Sequence, residues 1–163
     1  MVIGEPKNPR CFKNISMFPS KYTINAKAWM TSEIFLRFLR EFEAKMGIAA
    51  RKVLLFVDRC VAHPPDVSFL RNVKVIFLPP NCTSHLQPSD LGIIHALKVK
   101  CRTALALNLM DQSKPGSQQS SQLNLNILQA MNLIMYLWRE VSAETIKNCF
   151  TKADSVKMRW QLL

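Results

Sequence analysis

The pattern of apolar positions is most regular in the middle of the chain. Two apolar runs, Val53–Val57 and Val73–Phe77, are too short for helices and rich in β-forming residues, which predicts two strands. A helical period opens near Asp90 and continues to about Met110. The pattern therefore predicts an α/β fold in which Asp58 directly follows one strand and Asp90 begins a helix. Ligand crevices in such folds lie at the carboxyl ends of strands.

The remaining apolar positions predict helices and short strands on either side of this segment. The further predicted elements are short strands at 2–3 and 22–24, a helix from a cap at Thr31 or Ser32 to a stop at Gly47, a short helix at 66–70, a helix over about 125–138 and a helix capped by Ser142. Because parallel strands need a crossover connection, the helix at 66–70 would link the two central strands. We expect residues 1–110 to form the body of the domain, residues 111–122 a polar linker, and residues 123–163 a helical segment of the same domain.

Composition describes one globular domain with a strong positive charge. The 163 residues carry a net charge of +11 at pH 7, with 48% hydrophobic and 20% charged residues. No apolar run approaches the roughly 20 residues of a membrane helix, and the amino terminus lacks a secretory signal pattern. Because both halves of the chain are basic, we expect a polyanionic partner, chiefly nucleic acid. The alternative is a basic surface without a specific ligand.

The five cysteines predict reduced thiols rather than cross-links or zinc ligands. They lie at positions 11, 60, 82, 101 and 149, their number is odd, and none forms a Cys-x-x-Cys pair. A zinc site or a disulfide framework is therefore not expected. Free thiols fit a cytosolic or nuclear protein.

Asp58 and Asp90 are candidate ligands for magnesium. Nucleases and strand-transfer enzymes use carboxylates to hold two Mg²⁺ ions about 4 Å apart, and Mg²⁺ prefers hard oxygen ligands. A strand–crossover–strand–helix unit can bring two such acids to one site. The alternatives are a turn residue for Asp58 and a helix cap for Asp90.

A second candidate site is a stripe of basic positions on the helix that begins near Asp90. His95, Lys98 and Arg102 are spaced i, i+3 and i+7, which places them on one side of that helix. Such a stripe can lie along a nucleic-acid phosphate backbone. The alternative is a solvated helix face without a partner.

Three groups of residues in the middle of the chain form a specific motif string. They are Asp58-x-x-x-x-His63-Pro64, Phe77-Leu78-Pro79-Pro80-Asn81-x-Thr83-Ser84 and Gln87-Pro88-x-Asp90-x-Gly92. Flanking segments with the same resemblance are Val2-Ile3-Gly4, Asn8-Pro9-Arg10, Lys27-Ala28-Trp29-Met30-Thr31 and Ser142-Ala143-Glu144-Thr145-Ile146. Over nearly its whole length the chain resembles the DDE transposase domain of the pogo/Tigger group, which includes the jerky and centromere protein B relatives.

This resemblance implies an RNase H-like fold, a nuclear location, DNA as the substrate class and Mg²⁺ as the metal of the family. By the resemblance, Asp58 is the second catalytic acid and Asp90 is the third. His63 follows the second acid, where it would either position DNA or water or brace the loop before Pro64.

Departures from the family pattern predict a degenerate, catalytically inactive domain. The family's first acid lies in an Asp-Glu-Thr-Gly motif that does not occur here, so Asp58 and Asp90 would be vestigial Mg²⁺ ligands with no metal bound productively. Arg59 replaces the usual Asn, and its guanidinium could compete with a cation for Asp58. We expect a partial RNase H-like domain that lacks its first strands and has a helical carboxyl-terminal part. Strand Val53–Val57 would then expose an edge that invites pairing with another chain.

Four functions are compatible with the sequence. The first is a transposon-derived nuclear protein that binds DNA through its basic surface and has no catalytic activity. The second is a protein-interaction module that pairs with itself or with intact relatives through the exposed sheet edge. The third is an active enzyme in which another acid replaces the missing one, and the fourth is a fragment without a selected function.

Overall fold

Short strands and longer helices form a mixed α/β arrangement, as the apolar pattern predicts. The computed structural model describes residues 1–80, 83–112 and 125–153. The strands are β1 (Val2–Gly4), β2 (Tyr22–Ile24), β3 (Val53–Val57) and β4 (Val73–Phe77). The helices are α1 (Ser32–Ile48), α2 (Thr83–Leu86), α3 (Ile94–Gln112), α4 (Ile127–Arg139) and α5 (Ala143–Lys152). A 3₁₀ turn lies at Arg10–Phe12, and the segment Ser89–Ile93 before α3 has a kink at Gly92.

Contacts within the chain define two units, which are described separately. The first unit consists of Met1–Ala28 and Gly92–Cys149, and the second unit of Trp29–Leu91 with the segment that starts at Phe150. β1 pairs with β2 in the first unit, and β3 pairs with β4 in the second unit. Both pairs are parallel, which confirms the predicted parallel pairing of the two central strands.

The core of the second unit is formed by side chains of α1 and of the β3–β4 sheet. Phe35, Leu39 and Val57 are buried and form one cluster, in which Leu39 has no exposed surface. Leu55 and Val75, which are partners in the parallel register, pack against this cluster. Removal of this apolar surface from water is the main stabilising contribution to the unit.

A single carboxylate joins α1 to the start of β4. Glu43 accepts hydrogen bonds of 2.7–3.1 Å from the backbone N–H groups of Arg71, Asn72 and Val73 and from the Asn72 side-chain amide. Burial raises the pKa of Glu43, but these hydrogen bonds together outweigh it and lower the pKa below its ordinary value. Gly47 leaves space for this contact, because a Cβ there would lie 3.3 Å from the Asn72 Nδ2 atom. Glu43 thereby fixes α1 against the amino end of β4.

The sequence predicts the start of α1 correctly and its end wrongly. At its start, the Thr31 hydroxyl accepts a hydrogen bond of 3.3 Å from the Ile34 N–H, which confirms the predicted cap. The predicted stop at Gly47 is wrong, because the helix continues to Ile48. It ends in a Schellman arrangement whose left-handed position is occupied by Ala50, with φ of 50°, rather than by glycine.

The connection from β3 to β4 contains no helix, so the predicted short helix at 66–70 is wrong. Residues 58–72 form turns and bends. The Asp66 carboxylate accepts a hydrogen bond of 3.3 Å from the Ser68 N–H, a local turn that competes with a helical start. Val67 and Leu70 nevertheless pack against the core, so the connection covers the sheet as a helix would.

The first unit is organised by aromatic contacts around β1 and β2. The Phe12 ring lies edge-on to the rings of Phe18 and Tyr22, with centroids 4.7 and 4.9 Å away. Gly4 lies directly against the Tyr22 ring, where any Cβ would collide with it. The Tyr22 hydroxyl donates a hydrogen bond of 2.9 Å to the Pro6 carbonyl oxygen.

The helices of the first unit begin at well-defined caps. Asn126 and Gln129 form a reciprocal capping box at the start of α4, with hydrogen bonds of 2.9 and 3.0 Å. The Ser142 hydroxyl accepts a hydrogen bond of 3.1 Å from the Thr145 N–H, which confirms the predicted start of α5. A Cβ on Gly92 would lie 2.8 Å from the Cys149 sulfur, so the chain entering α3 passes close to α5.

Some sequence predictions fall partly outside the described residues. Within the predicted linker, residues 111 and 112 belong to α3, and residues 113–122 lie outside the described residues. The same holds for residues 123, 124 and 154–163 of the predicted carboxyl-terminal segment. In the described part of the chain, no helix combines the length and the apolar character needed to cross a membrane. Four cysteines of that part are free thiols, at positions 11, 60, 101 and 149.

Candidate functional site

Asp58 lies at the carboxyl edge of the β3–β4 sheet, the position that the sequence predicts for a ligand crevice. It directly follows β3, whose last residue, Val57, accepts a backbone hydrogen bond of 2.8 Å from the Leu78 N–H beyond the end of β4. The Asp58 side chain retains 36% of its accessible surface. A cation or a polar ligand can therefore reach the carboxylate from solvent.

The loop after Asp58 is held by two hydrogen bonds and one ring contact. The His63 N–H donates to the Cys60 carbonyl oxygen at 2.9 Å, which closes a tight turn. The Ser32 hydroxyl at the start of α1 donates to the Val61 carbonyl oxygen at 3.0 Å. The His63 ring packs against Phe35 of the core, with ring centroids 4.3 Å apart. These contacts fix the loop on the core of the second unit.

His63 contacts Asp58 through one ring nitrogen. Its Nδ1 atom lies 2.9 Å from a carboxylate oxygen of Asp58 and 3.2 Å from the Asp58 carbonyl oxygen. The His63 side chain is 17% exposed. His63 therefore lies beside the acid and contacts the loop at Asp58 and Cys60, and its role in positioning DNA or water or in bracing the loop stays a prediction.

Cys60 completes a group of three side chains with metal-binding atoms. Its sulfur lies 3.3 Å from the same Nδ1 atom of His63. The ligand atoms of Asp58, Cys60 and His63 all lie within 4.8 Å of one another, and in the described part of the chain no other group of three or more such residues is this close. The sequence does not single out Cys60, because metal-binding cysteines are usually recognised from Cys-x-x-Cys pairs. The signal that could identify it is the Asp-x-Cys-x-x-His spacing directly after a strand.

Asp90 does not belong to this group. It is an exposed residue of the kinked segment Ser89–Ile93, and its N–H donates a hydrogen bond of 3.0 Å to the Gln87 carbonyl oxygen. The predicted magnesium ligation by Asp58 and Asp90 stays a prediction. The other donors of this group, a thiol and an imidazole, are not the hard oxygen ligands that Mg²⁺ prefers.

A small cavity of about 220 Å³ lies beside the group. Its lining residues are Arg59, Cys60, His63, Pro65 and Phe77. It is large enough for several water molecules, and Arg59 gives it a permanent positive charge. The cavity therefore suits small anionic or polar groups.

The basic stripe predicted on α3 is exposed. His95, Lys98 and Arg102 all face solvent, on one side of the helix. Their exposure leaves the two permanently charged groups able to approach a phosphate backbone.

Comparisons with known proteins show the family of this chain. A family model described as DDE superfamily endonuclease matches residues 1–150. Tigger transposable element-derived protein 4 of Mus musculus is 32% identical over 153 residues, which cover 94% of this chain and 29% of that protein. Major centromere autoantigen B of Homo sapiens is 30% identical over 153 residues, which cover 94% of this chain and 24% of that protein.

A fungal relative gives a similar match. ARS-binding protein 1 of Schizosaccharomyces pombe is 33% identical over 161 residues, which cover 91% of this chain and 30% of that protein. The chain thus spans between 24% and 30% of the length of these relatives. No solved structure gives a significant match. The chain therefore belongs to the DDE superfamily endonuclease family, and its resemblance to Tigger-type, transposable element-derived proteins is confirmed.

Proposed function

We propose that this chain is a transposon-derived, nuclear DNA-binding protein whose DDE domain neither cleaves nor joins DNA. It contacts the phosphate backbone through the exposed face of α3 and shows little preference for base sequence. The second unit, with its parallel β3–β4 pair and its acid at the carboxyl edge, is part of an RNase H-like domain in this proposal.

The observation that carries the proposal is the exposed basic stripe on α3. Lys98 and Arg102 lie one turn apart on the same side of the helix, and His95 extends the stripe toward the helix start. The whole chain carries a net charge of +11, so the stripe belongs to a protein that attracts polyanions. Phosphate contacts of this kind give affinity without base readout.

The names of the relatives support DNA as the partner. One relative is named for binding to ARS and another as a transposable element-derived protein. A third is a centromere autoantigen, which supports a location in the nucleus. Imaging of the tagged chain in cells tests this location, and a uniformly cytoplasmic signal would contradict it.

The surroundings of Asp58 support the absence of catalytic activity. Arg59 is the next residue, and Asp58 is grouped with Cys60 and His63, whereas Asp90 lies outside the group. A two-metal reaction needs several carboxylates around the reacting phosphate. We therefore expect no cleavage of supercoiled plasmid by the purified chain with Mg²⁺ or Mn²⁺. Metal-dependent nicking that disappears in Asp58→Asn would contradict the proposal.

Fluorescence anisotropy with a labelled DNA duplex at several salt concentrations tests the binding surface. The double variant Lys98→Ala/Arg102→Ala removes two charges from α3. The control variant Lys45→Ala/Arg51→Ala removes two exposed positive charges near the end of α1 and leaves the same net charge. We expect weaker binding for the α3 variant than for the control at every salt concentration. Equal affinities would show that net charge alone, rather than this face, determines binding.

A second candidate function is pairing with another protein through the sheet edge. β3 pairs with β4 alone in the described part of the chain, and Leu54 of β3 is 41% exposed. An open strand edge can take up a strand from a second chain. Analytical ultracentrifugation at low and high salt tests this function. If the chains pair through backbone hydrogen bonds, we expect association that persists at high salt. A monomer at all concentrations would exclude self-pairing.

A further inference from the structure

The loop after β3 brings together three different metal-binding side chains within six residues. The Asp58 carboxylate, the Cys60 sulfur and the His63 Nδ1 atom lie within 4.8 Å of one another. The nitrogen–oxygen distance is 2.9 Å and the sulfur–nitrogen distance is 3.3 Å. A tetrahedral zinc site, with bonds of about 2.0–2.3 Å, has ligand atoms roughly 3.3–3.5 Å apart. The nitrogen–oxygen and sulfur–nitrogen distances are thus within a few tenths of an ångström of such a geometry, and the sulfur lies within 4.8 Å of the Asp58 carboxylate.

We propose that Asp58, Cys60 and His63 bind a single Zn²⁺ ion, with the fourth coordination position open toward the adjacent cavity. This site goes beyond the proposed DNA binding and does not depend on it. The resemblance implies a Mg²⁺ site that includes Asp58, whereas the proposed site binds a softer metal. The soft ligand of the proposed site is the Cys60 sulfur.

The chemistry of the donors favours this ion. A thiolate and an imidazole suit Zn²⁺, whereas Mg²⁺ prefers carboxylate, carbonyl and water oxygens. A mixed set of one Cys, one His and one Asp does not need the Cys-x-x-Cys pair whose absence argues against a cysteine-rich zinc site. Binding converts the Cys60 thiol to a thiolate, and the released proton passes to solvent.

The loop is already shaped for a metal in the structure. The turn from Cys60 to His63 is closed by a backbone hydrogen bond, and Ser32 and Phe35 of α1 fix the loop from the other side. The ligands therefore lose little conformational freedom when an ion binds. Asp58 is partly exposed and Cys60 is exposed, so an ion can enter from solvent.

A nucleophilic cysteine triad is a poorer interpretation of the same residues. In a triad, one nitrogen of the histidine faces the nucleophile and the other faces the carboxylate. Here the same Nδ1 atom of His63 is the close neighbour of both Cys60 and Asp58. That arrangement does not place the His63 ring between the two groups, as a triad requires.

The fourth position would face a space suited to a water molecule or a small anion. The adjacent cavity of about 220 Å³ is lined by Arg59 and by two of the proposed ligands, Cys60 and His63. Three protein ligands with an open position are typical of zinc sites that bind an exchangeable group. The positive charge of Arg59 would compete with a hard cation for Asp58, but it would attract an anion bound at the fourth position of the zinc ion.

Cobalt substitution in the purified 163-residue chain tests the site directly. After metals are removed with a chelator, Co²⁺ is added and the absorption spectrum is recorded, then Zn²⁺ is added to displace it. We expect one Co²⁺ per chain, the intense visible bands of tetrahedral coordination, a thiolate charge-transfer band, and displacement by Zn²⁺ but not by excess Mg²⁺. Circular dichroism checks that every variant is folded.

Matched variants assign the ligands. Cys60→Ser should remove the charge-transfer band and weaken Zn²⁺ binding more than about tenfold, because loss of a direct ligand exceeds the usual cost of changing an outer contact. His63→Gln should weaken binding similarly. The controls are Cys11→Ser and His95→Gln, which change the same residue types in the first unit and should leave the spectrum unchanged.

Three results would overturn the proposal. The absence of thiolate bands would mean that the three residues form a hydrogen-bonded loop only. Bands that persist in Cys60→Ser, or disappear in Cys11→Ser, would place the metal at another cysteine. Octahedral spectra with competition by Mg²⁺ would indicate a hard-cation site. None of these results would bear on DNA binding, which is measured without added metal and with variants of α3.

Discussion

The loop after β3 and the exposed face of α3 hold their candidate functional side chains differently: the loop is fixed by packing, and the helix face is open to solvent. In the loop, His63 has a ring contact with Phe35, and its backbone N–H is hydrogen-bonded to Cys60. On α3, Lys98 and Arg102 extend into solvent from a regular helix. The loop suits short-range chemistry that depends on tenths of an ångström, such as metal ligation. The helix face suits long-range attraction of phosphates, which tolerates mobile side chains.

The two sites also depend on different parts of the structure for their stability. The loop rests on the buried core of the second unit and on the Glu43 contact to β4. The α3 face needs only a folded helix. Changes in the core should therefore affect the loop strongly, and changes in single caps should affect α3 weakly.

The largest effect is expected from Leu39→Ala. Leu39 is fully buried in the cluster that supports the β3–β4 sheet, so the substitution leaves a cavity. We expect the free energy of unfolding to fall by about 2–5 kcal/mol, measured by urea denaturation. Leu107→Ala on α3 is the control, since Leu107 is 57% exposed and should change the free energy by less than about 0.5 kcal/mol. Equal losses for the two variants would contradict the assignment of the core.

A smaller and pH-dependent effect is expected from Glu43→Gln. The pKa of Glu43 is lowered in the folded state, so its carboxylate contributes stability above the ordinary value of 4.5, and this contribution is lost as the pH falls below that value. Thermal unfolding should show a less stable variant at pH 7 and a shrinking difference from the wild type as the pH falls toward 3. Glu140→Gln, at an exposed position after α4, is the control. A difference that grows as the pH falls would refute the sign of this shift.

The capping box of α4 offers a test in the first unit. Asn126→Ala removes the side chain that accepts the Gln129 N–H hydrogen bond. We expect a loss of about 1 kcal/mol in the free energy of unfolding. Asn132→Ala, at an exposed site inside the same helix, should cost less, because its side chain bonds only to the Leu128 carbonyl oxygen. A larger decrease in the free energy of unfolding for Asn132→Ala than for Asn126→Ala would contradict a stabilising role of this cap.

The smallest effect, a gain, is expected from Ala50→Gly at the end of α1. Ala50 has φ of 50°, a left-handed conformation that disfavours residues with a Cβ. Glycine relieves this strain but has more freedom in the unfolded chain, so the net gain should be about 0.5 kcal/mol. Ala49→Gly, at the preceding position with φ of −80°, should instead destabilise the protein. A loss of stability in Ala50→Gly would contradict the left-handed assignment.

Local sequence signals predicted much of the fold. The strands Val53–Val57 and Val73–Phe77, the caps Thr31 and Ser142, and the parallel pairing of β3 with β4 are confirmed, because each depends on a short apolar period or on one hydrogen bond to a near neighbour. The errors at 66–70 and at Gly47 arose where such signals compete with local turns or with a contact to a distant residue.

Contacts between distant parts of the chain were not predictable. Glu43 falls on the polar side of α1, yet it binds backbone groups 28–30 positions away. Cys60 forms no Cys-x-x-Cys pair in the sequence, and its proximity to Asp58 and His63 depends on the turn that follows β3. The prediction of Asp58 as a site residue came from its place at the end of a strand, which is a property of the local pattern.

The dependence of DNA affinity on salt is the most direct test of the proposed function. In a logarithmic plot of affinity against salt concentration, each phosphate contact adds about 0.9 to the slope. Lys98→Ala/Arg102→Ala should therefore lower the slope by about 2 relative to the wild type, and Lys45→Ala/Arg51→Ala should leave it nearly unchanged. An unchanged slope in the α3 variant would contradict DNA binding through this face.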